Sequence, residues 1–209
     1  MRWLILLISL PLYAQNFETN LLELRGATDV EETRIRASLE LIKEVVQSDE
    51  FRSRVKNMTY KIGKRTYKGF SQTNLSPEAI LDSIYEAQEN FSGGSVGVMD
   101  LNLEMYEEAS STIGYTDSND PFVHMNRYHH NAFTVVETSD NIFHEWLHKI
   151  NHEHSFRRNK YRDHSVPYKL GDLVSEMVAE KMSNGDPMLK SMLTDVSEVV
   201  CHHSDLQDR

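Results

Sequence analysis

The most constraining stretch of the chain is the run His144-Glu145-Trp146-Leu147-His148-Lys149-Ile150-Asn151-His152-Glu153-His154. His144 and His148 are four residues apart. On an α-helix that spacing puts both on one face, one turn apart, so two imidazoles there can hold the same zinc ion. Glu145 follows the first His. It would flank the ion rather than fill its shell, and from there it can take a proton from an activated water, the general-base role. Trp146, Leu147 and Ile150 supply the apolar side that would bury the helix. Random orders of this composition produce the five-residue pattern in about 4% of cases, so the third ligand decides.

His154 lies ten residues after His144 and reaches the same ion only if the helix stops near residue 151 and the chain turns back. Asn is, after Gly, the residue most willing to take a left-handed conformation. A helix ended at Asn151 with His154 swung under the metal is therefore physically reasonable, and requiring that His as well lowers the chance match to about 0.2%. His152 is expected to be solvated. On a continued helix it would sit about 12 Å from His144 along the axis, too far for two bonds of about 2 Å to one ion. Glu176 is the alternative third ligand. It precedes Glu180 by four residues on an expected helix, and sets of two His and one distant Glu do bind zinc, although an acidic pair on a helix also reads as a solvated face.

The pattern His144-Glu145-x-x-His148-x-x-Asn151-x-x-His154 resembles the long zinc signature of the metzincin clan of metallopeptidases, with Asn where the clan has Gly. The resemblance covers about residues 75–185, but those eleven residues carry its specific signal. The methionine turn that underlies the metal in that clan has no clean counterpart: Ser165-Val166-Pro167-Tyr168 stands where it could fall, with Pro in place of Met, while Met177 and Met182 read as core residues of a helix. The chain thus looks like a divergent, metzincin-like member. That resemblance implies a zinc-dependent endopeptidase with His144, His148 and His154 as metal ligands and Glu145 as catalytic base. It also gives Tyr168 a candidate catalytic role, as hydroxyl donor to the oxyanion or weak metal ligand, since a downstream Tyr acts so in some clan members. The partner implied is a peptide or protein substrate.

The rest of the chain frames this reading. The 209 residues carry 22 Lys+Arg against 32 Asp+Glu, a net charge of -10. That argues against nucleic acid and against an anionic membrane surface. A lone Cys201 makes neither an internal disulfide nor a Cys-rich zinc site. Residues 1–14 carry one positive charge, an apolar run from Leu4 to Leu12 and a small Ala14, which predicts a signal peptide, a secreted or periplasmic bacterial location and no stable membrane anchor after cleavage.

Apolar residues at helical spacing predict a helix over Asp29–Gln47, and Val55–Tyr67 reads as a hairpin. Ser76-Pro77-Glu78 starts a helix that Gly93-Gly94 should end. Strands are expected at Val96–Tyr106, Val123–Asn126 and Ala132–Val136, then helices at Asn141–Ile150, Leu170–Met182 and Pro187–Val199. Strands and helices mixed early and helices last predict an α+β fold. With the resemblance, this becomes a small, mixed, mostly antiparallel sheet, a backing helix, an active-site helix and a helical C-terminal part. Residues 15–74 form a helix and hairpin region packed in one domain with a catalytic region at 75–209. The strand Val96–Tyr106, as a sheet edge, would bind an extended peptide. The competing reading is an exported, non-catalytic binding protein stapled by zinc. A structural zinc site normally closes with four protein ligands, and three with an adjacent Glu favour an open, catalytic one.

Overall fold

The computed structural model describes residues 16–89 and 96–185. The expected signal peptide, the Gly93-Gly94 helix stop, the helix Pro187–Val199 and Cys201 lie outside the described residues. The elements run β1 (Glu18–Arg25), α1 (Asp29–Gln47), α2 (Asp49–Lys56), β2 (Thr59–Ile62), β3 (Arg65–Lys68), α3 (Pro77–Glu86), β4 (Val98–Tyr106), β5 (Gly114–Tyr115), β6 (Val123–Asn126), α4 (Arg127–His130), α5 (Val135–Lys149) and α6 (Val166–Ser183), with a 3₁₀ turn at Arg162–His164. Among the described residues this is a mixed α/β structure with six helices.

Local chemistry accounts for most boundaries. Thr28 and Glu31 form a reciprocal capping box that starts α1, over the residues the periodicity marks. Ser48 ends α1 and caps α2. Ser76 caps α3 with Pro77 in its first turn, but Ala87, at φ 47°, ends that helix well before the glycines. The expected strand Ala132–Val136 is not one: Thr134 forms a capping box with Glu137, and α5 starts at Val135. The β-branched run suggested extension, but the cap satisfies the first backbone N–H groups and the helix wins.

The main sheet has the order β1-β4-β6-β5, with β2 and β3 a separate hairpin. β4 is parallel to both β1 and β6, and only β5 is antiparallel. The sheet is therefore mixed with parallel pairs dominant, not mostly antiparallel. Parallel partners need a long crossover. Here α1 to α3 supply the one between β1 and β4, and pairing across such a distance leaves no mark in either strand. β4 is consequently an inner strand, not the edge that the sequence suggested. β5 and β1 are the edges.

Helix α5 packs against α6, α1 and the sheet. Ile142, Phe143, Trp146 and Leu147 are fully buried in a continuous core that runs from Phe17 to Val178. Phe17 meets Trp146 edge-on at 5.6 Å between ring centres. Two glycines let neighbours approach the outer face of α5. A Cβ at Gly114 would lie 2.9 Å from Asn141 Oδ1, and one at Gly171 would lie 2.3 Å from Asp140 Oδ1. Only glycine lets β5 and α6 come this close, and α6 brings Tyr168 with it.

Candidate metal centre

The last two turns of α5 carry His144, Glu145 and His148, and all three line the cleft. The helix then stops in a Schellman motif: the His152 N–H donates to the Leu147 carbonyl at 2.9 Å and the Asn151 N–H to the His148 carbonyl at 3.1 Å. Asn151 takes the left-handed position the motif needs, at φ 67°. This reversal carries His154 back over the helix end.

His144, His148 and His154 each offer a ligand nitrogen, and these atoms all lie within 4.8 Å of one another, so the cluster can hold a metal ion. His144 Nε2 and His154 Nε2 are 3.2 Å apart. Two nitrogens bound tetrahedrally at zinc–nitrogen lengths would be separated by about 3.3 Å, so this pair fits one ion without rearrangement. Burial keeps the donors neutral. It lowers His144 well below its ordinary range, with His148 and His154 adding to the effect. It takes His148 down to about 4, and it also lowers His154. Neutral imidazole is the form that ligates metal. The Glu153 carboxylate sits 3.4 Å from His148 Nδ1, in ion-pair range but without hydrogen-bond alignment. A carboxylate behind a ligating His orients it and raises its basicity.

Glu145 is 6% exposed. Burial, with Asp140 and Glu153 nearby, pushes its carboxyl up to about 8. Among the described residues no donor hydrogen-bonds to it. The Tyr168 ring centre lies 4.5 Å from that of His144 and 4.9 Å from that of His154, and burial raises its phenol. All five residues picked out in the sequence as ligands, base or hydroxyl donor therefore line one cleft of about 640 Å³.

Glu176 is not among them. It is exposed on α6 and accepts from Arg54 Nη1 at 3.1 Å, with Glu180 taking Nη2 at 2.8 Å. His152 is not solvated either. It is 4% exposed and its Nε2 meets Ser83 Oγ at 2.8 Å. The helix stop turns it inward, and its partner lies 69 residues away in sequence. His124, His129 and His130 have partners in Glu104 and Asp120, in the Ser110 carbonyl and in Asn141.

Sequence reasoning missed the rest of the cleft. The edge strand β5 with its neighbours Ile113 and Thr116 forms one wall, and Phe156 and Arg162 form another. The signal for the second wall was present as the basic, aromatic stretch that follows His154. No helix among the described residues is long and apolar enough to cross a membrane. Compared with known proteins, the chain matches no protein-family model, no curated protein and no solved structure.

Proposed function

We propose that the chain is an exported zinc-dependent endopeptidase, metzincin-like in its signature. The observation that carries this reading is the convergence of three neutral imidazoles beside a buried, donor-free glutamate on the floor of an open cleft. Three ligands leave a coordination position for chemistry, which a closed structural site would fill. Zinc held there would polarise a carbonyl and make water a nucleophile near neutral pH. The protein's own residues do the rest. Glu145, ionised once a cation sits at the imidazoles, would accept a proton on a carboxylate oxygen and return it to the leaving amine. Tyr168, whose ring lies against those of His144 and His154, would donate its hydroxyl to the developing oxyanion. The edge strand β5, rather than β4, is the element to which an extended peptide would add. The N-terminal pattern of residues 1–14 supports export.

Metal content of the purified chain, residues 15–209, tests this directly. The wild type is expected to hold about one zinc per chain, His154→Ala to lose it, and Glu176→Ala to keep it. A folded wild-type chain that takes up no metal from zinc-containing buffer rejects the reading and favours a binding protein with an acidic surface.

A further inference from the structure

We infer that Arg162 is a specificity-determining residue that grips a substrate carboxylate just beyond the scissile bond, either the C-terminal carboxylate of a peptide or an Asp or Glu side chain. The inference rests on the peptidase reading above.

Arg162 is the only Lys or Arg lining the cleft among the described residues. Its guanidinium carbon lies 5.1 Å from the centre of the Tyr168 ring, and that ring abuts His144 and His154. Nη1 donates to the Phe156 carbonyl at 3.3 Å, but Nε is buried with no acceptor. No carboxylate pairs with the group among the described residues, although the chain has 32 acids against 22 Lys+Arg.

Its position compounds the oddity. The guanidinium stands against the Tyr168 ring that abuts His144 and His154, so a fixed cation faces the cluster that would hold a metal ion. A fixed cation beside a cation-binding cluster is unfavourable unless an anion comes between or alongside them. A guanidinium offers the flat, two-pronged donor that matches a carboxylate. The chain of an extended peptide advances about 3.3–3.6 Å per residue, so a carboxylate one or two residues past a carbonyl held at the imidazoles falls within reach of this side chain. The surroundings give the substrate a direction. Arg157, Arg158 and Lys160 are exposed on the same loop, beside Phe156, which is 94% exposed, whereas the other charged residues that line the cleft, Asp117, Glu137, Asp140, Glu145, Glu153 and Asp172, are acids and would steer a carboxylate towards Arg162.

The test compares the full chain with Arg162→Gln and Arg162→Lys on matched peptides. One pair ends in a free acid or an amide, and the other, amidated, carries Glu or Gln after the scissile bond. Wild type is expected to prefer the carboxylate-bearing member of at least one pair by about 30-fold in kcat/KM, expressed mainly in KM. Which pair shows the preference identifies the source of the carboxylate. Arg162→Gln should bring that ratio close to one, with Arg162→Lys between, while zinc content stays at the wild-type level. An unchanged ratio, or an equal loss on every peptide, overturns the inference. A second readout separates this from failure of the peptidase reading: calorimetric binding of the dipeptide Ala-Ala, as acid and as amide, to zinc-free and zinc-loaded chains that need not turn over. Tighter binding of the acid that vanishes in Arg162→Gln keeps the carboxylate site even if no peptide is cleaved. Equal binding of acid and amide removes it.

Discussion

Glu145 lies on α5 and Glu89 packs against the same helix through Trp146, and each is 6% exposed. Burial pushes both upward, Glu89 to about 7 and Glu145 to about 8. Their surroundings differ in one respect. Glu89 Oε1 accepts the Trp146 indole N–H at 2.7 Å and the Asp100 backbone N–H at 3.0 Å, and Lys149 pulls its proton affinity down. Glu145 has no donor among the described residues, and its nearest charged neighbours are acids. Glu89 thus ties α5 to β4 through a satisfied network. Glu145 lacks such compensation and is left sensitive to any cation brought to the three imidazoles. Two carboxylates with equal exposure are told apart by their donors, not by their burial.

The largest way to break this comparison is Glu145→Gln. Near pH 7 the carboxyl is held protonated in the metal-free folded chain and is ionised in the unfolded one, so the isosteric amide should raise unfolding free energy, in chelator, by about 3 kcal/mol. Peptide hydrolysis should fall by about 10²–10⁴-fold. Urea unfolding and turnover measured on the same preparations check both halves. Loss of several kcal/mol with activity retained would make Glu145 a structural residue.

Glu89→Gln should share the gain in stability but leave turnover intact, and pH sharpens the contrast. The Glu89 carboxyl is raised in the folded chain, from an ordinary 4.5 to about 7. Between those values the folded chain keeps a proton that the unfolded chain has released, so stability falls as pH rises through the window. The full difference is about 3 kcal/mol. Glu89→Gln keeps an oxygen for both N–H donors and removes the titration. The variant should match wild type near pH 4.5, and its advantage should grow to about 3 kcal/mol by pH 8. Urea midpoints from pH 5 to 8, in chelator, measure this. Asp140, raised to about 7 by burial, and Glu145 add slope of the same sign to both proteins, so the difference isolates Glu89. Parallel curves would show that Glu89 titrates alike in both states.

Much of the site was legible because its determinants are local. The i, i+4 spacing of His144 and His148, the adjacent Glu145 and the willingness of Asn151 to turn all lie within eleven residues. The same holds for α1, whose periodic apolar positions and Thr28 cap need no distant partner. Thr134 and Glu137 formed an equally local capping signature, which the β-branched Thr134-Val135-Val136 run obscured. What was not legible depends on partners far away in the chain. β1 was missed because most of its residues are polar and exposed and its pairing shifts between Leu21 and Glu23, which erases the period of two. The parallel sheet, the burial of His152 against Ser83 and the pairing of Glu176 with Arg54 all join residues brought together only by the fold. The N-terminal pattern concerns residues outside those described and gains nothing from the structure.

Asn151 sets the smallest expected effect and joins the two halves of the comparison, because the turn it makes carries both His152 into the core and His154 to the cluster. Its φ of 67° suits Gly, is tolerated by Asn and strains residues with a larger unbranched or β-branched side chain. Asn151→Gly should keep the Schellman turn, with stability within about 1 kcal/mol of wild type and metal content unchanged. Asn151→Ala should cost about 1 kcal/mol, and Asn151→Val about 2 kcal/mol. If the turn is what delivers His154, zinc affinity should follow the same order, Gly and Asn above Ala, and Ala above Val. Competition with a chromogenic chelator reads that order. Equal affinities across the series, with stability changing as expected, would show that His154 reaches the cluster without the left-handed residue, and that the turn serves His152 and the core alone.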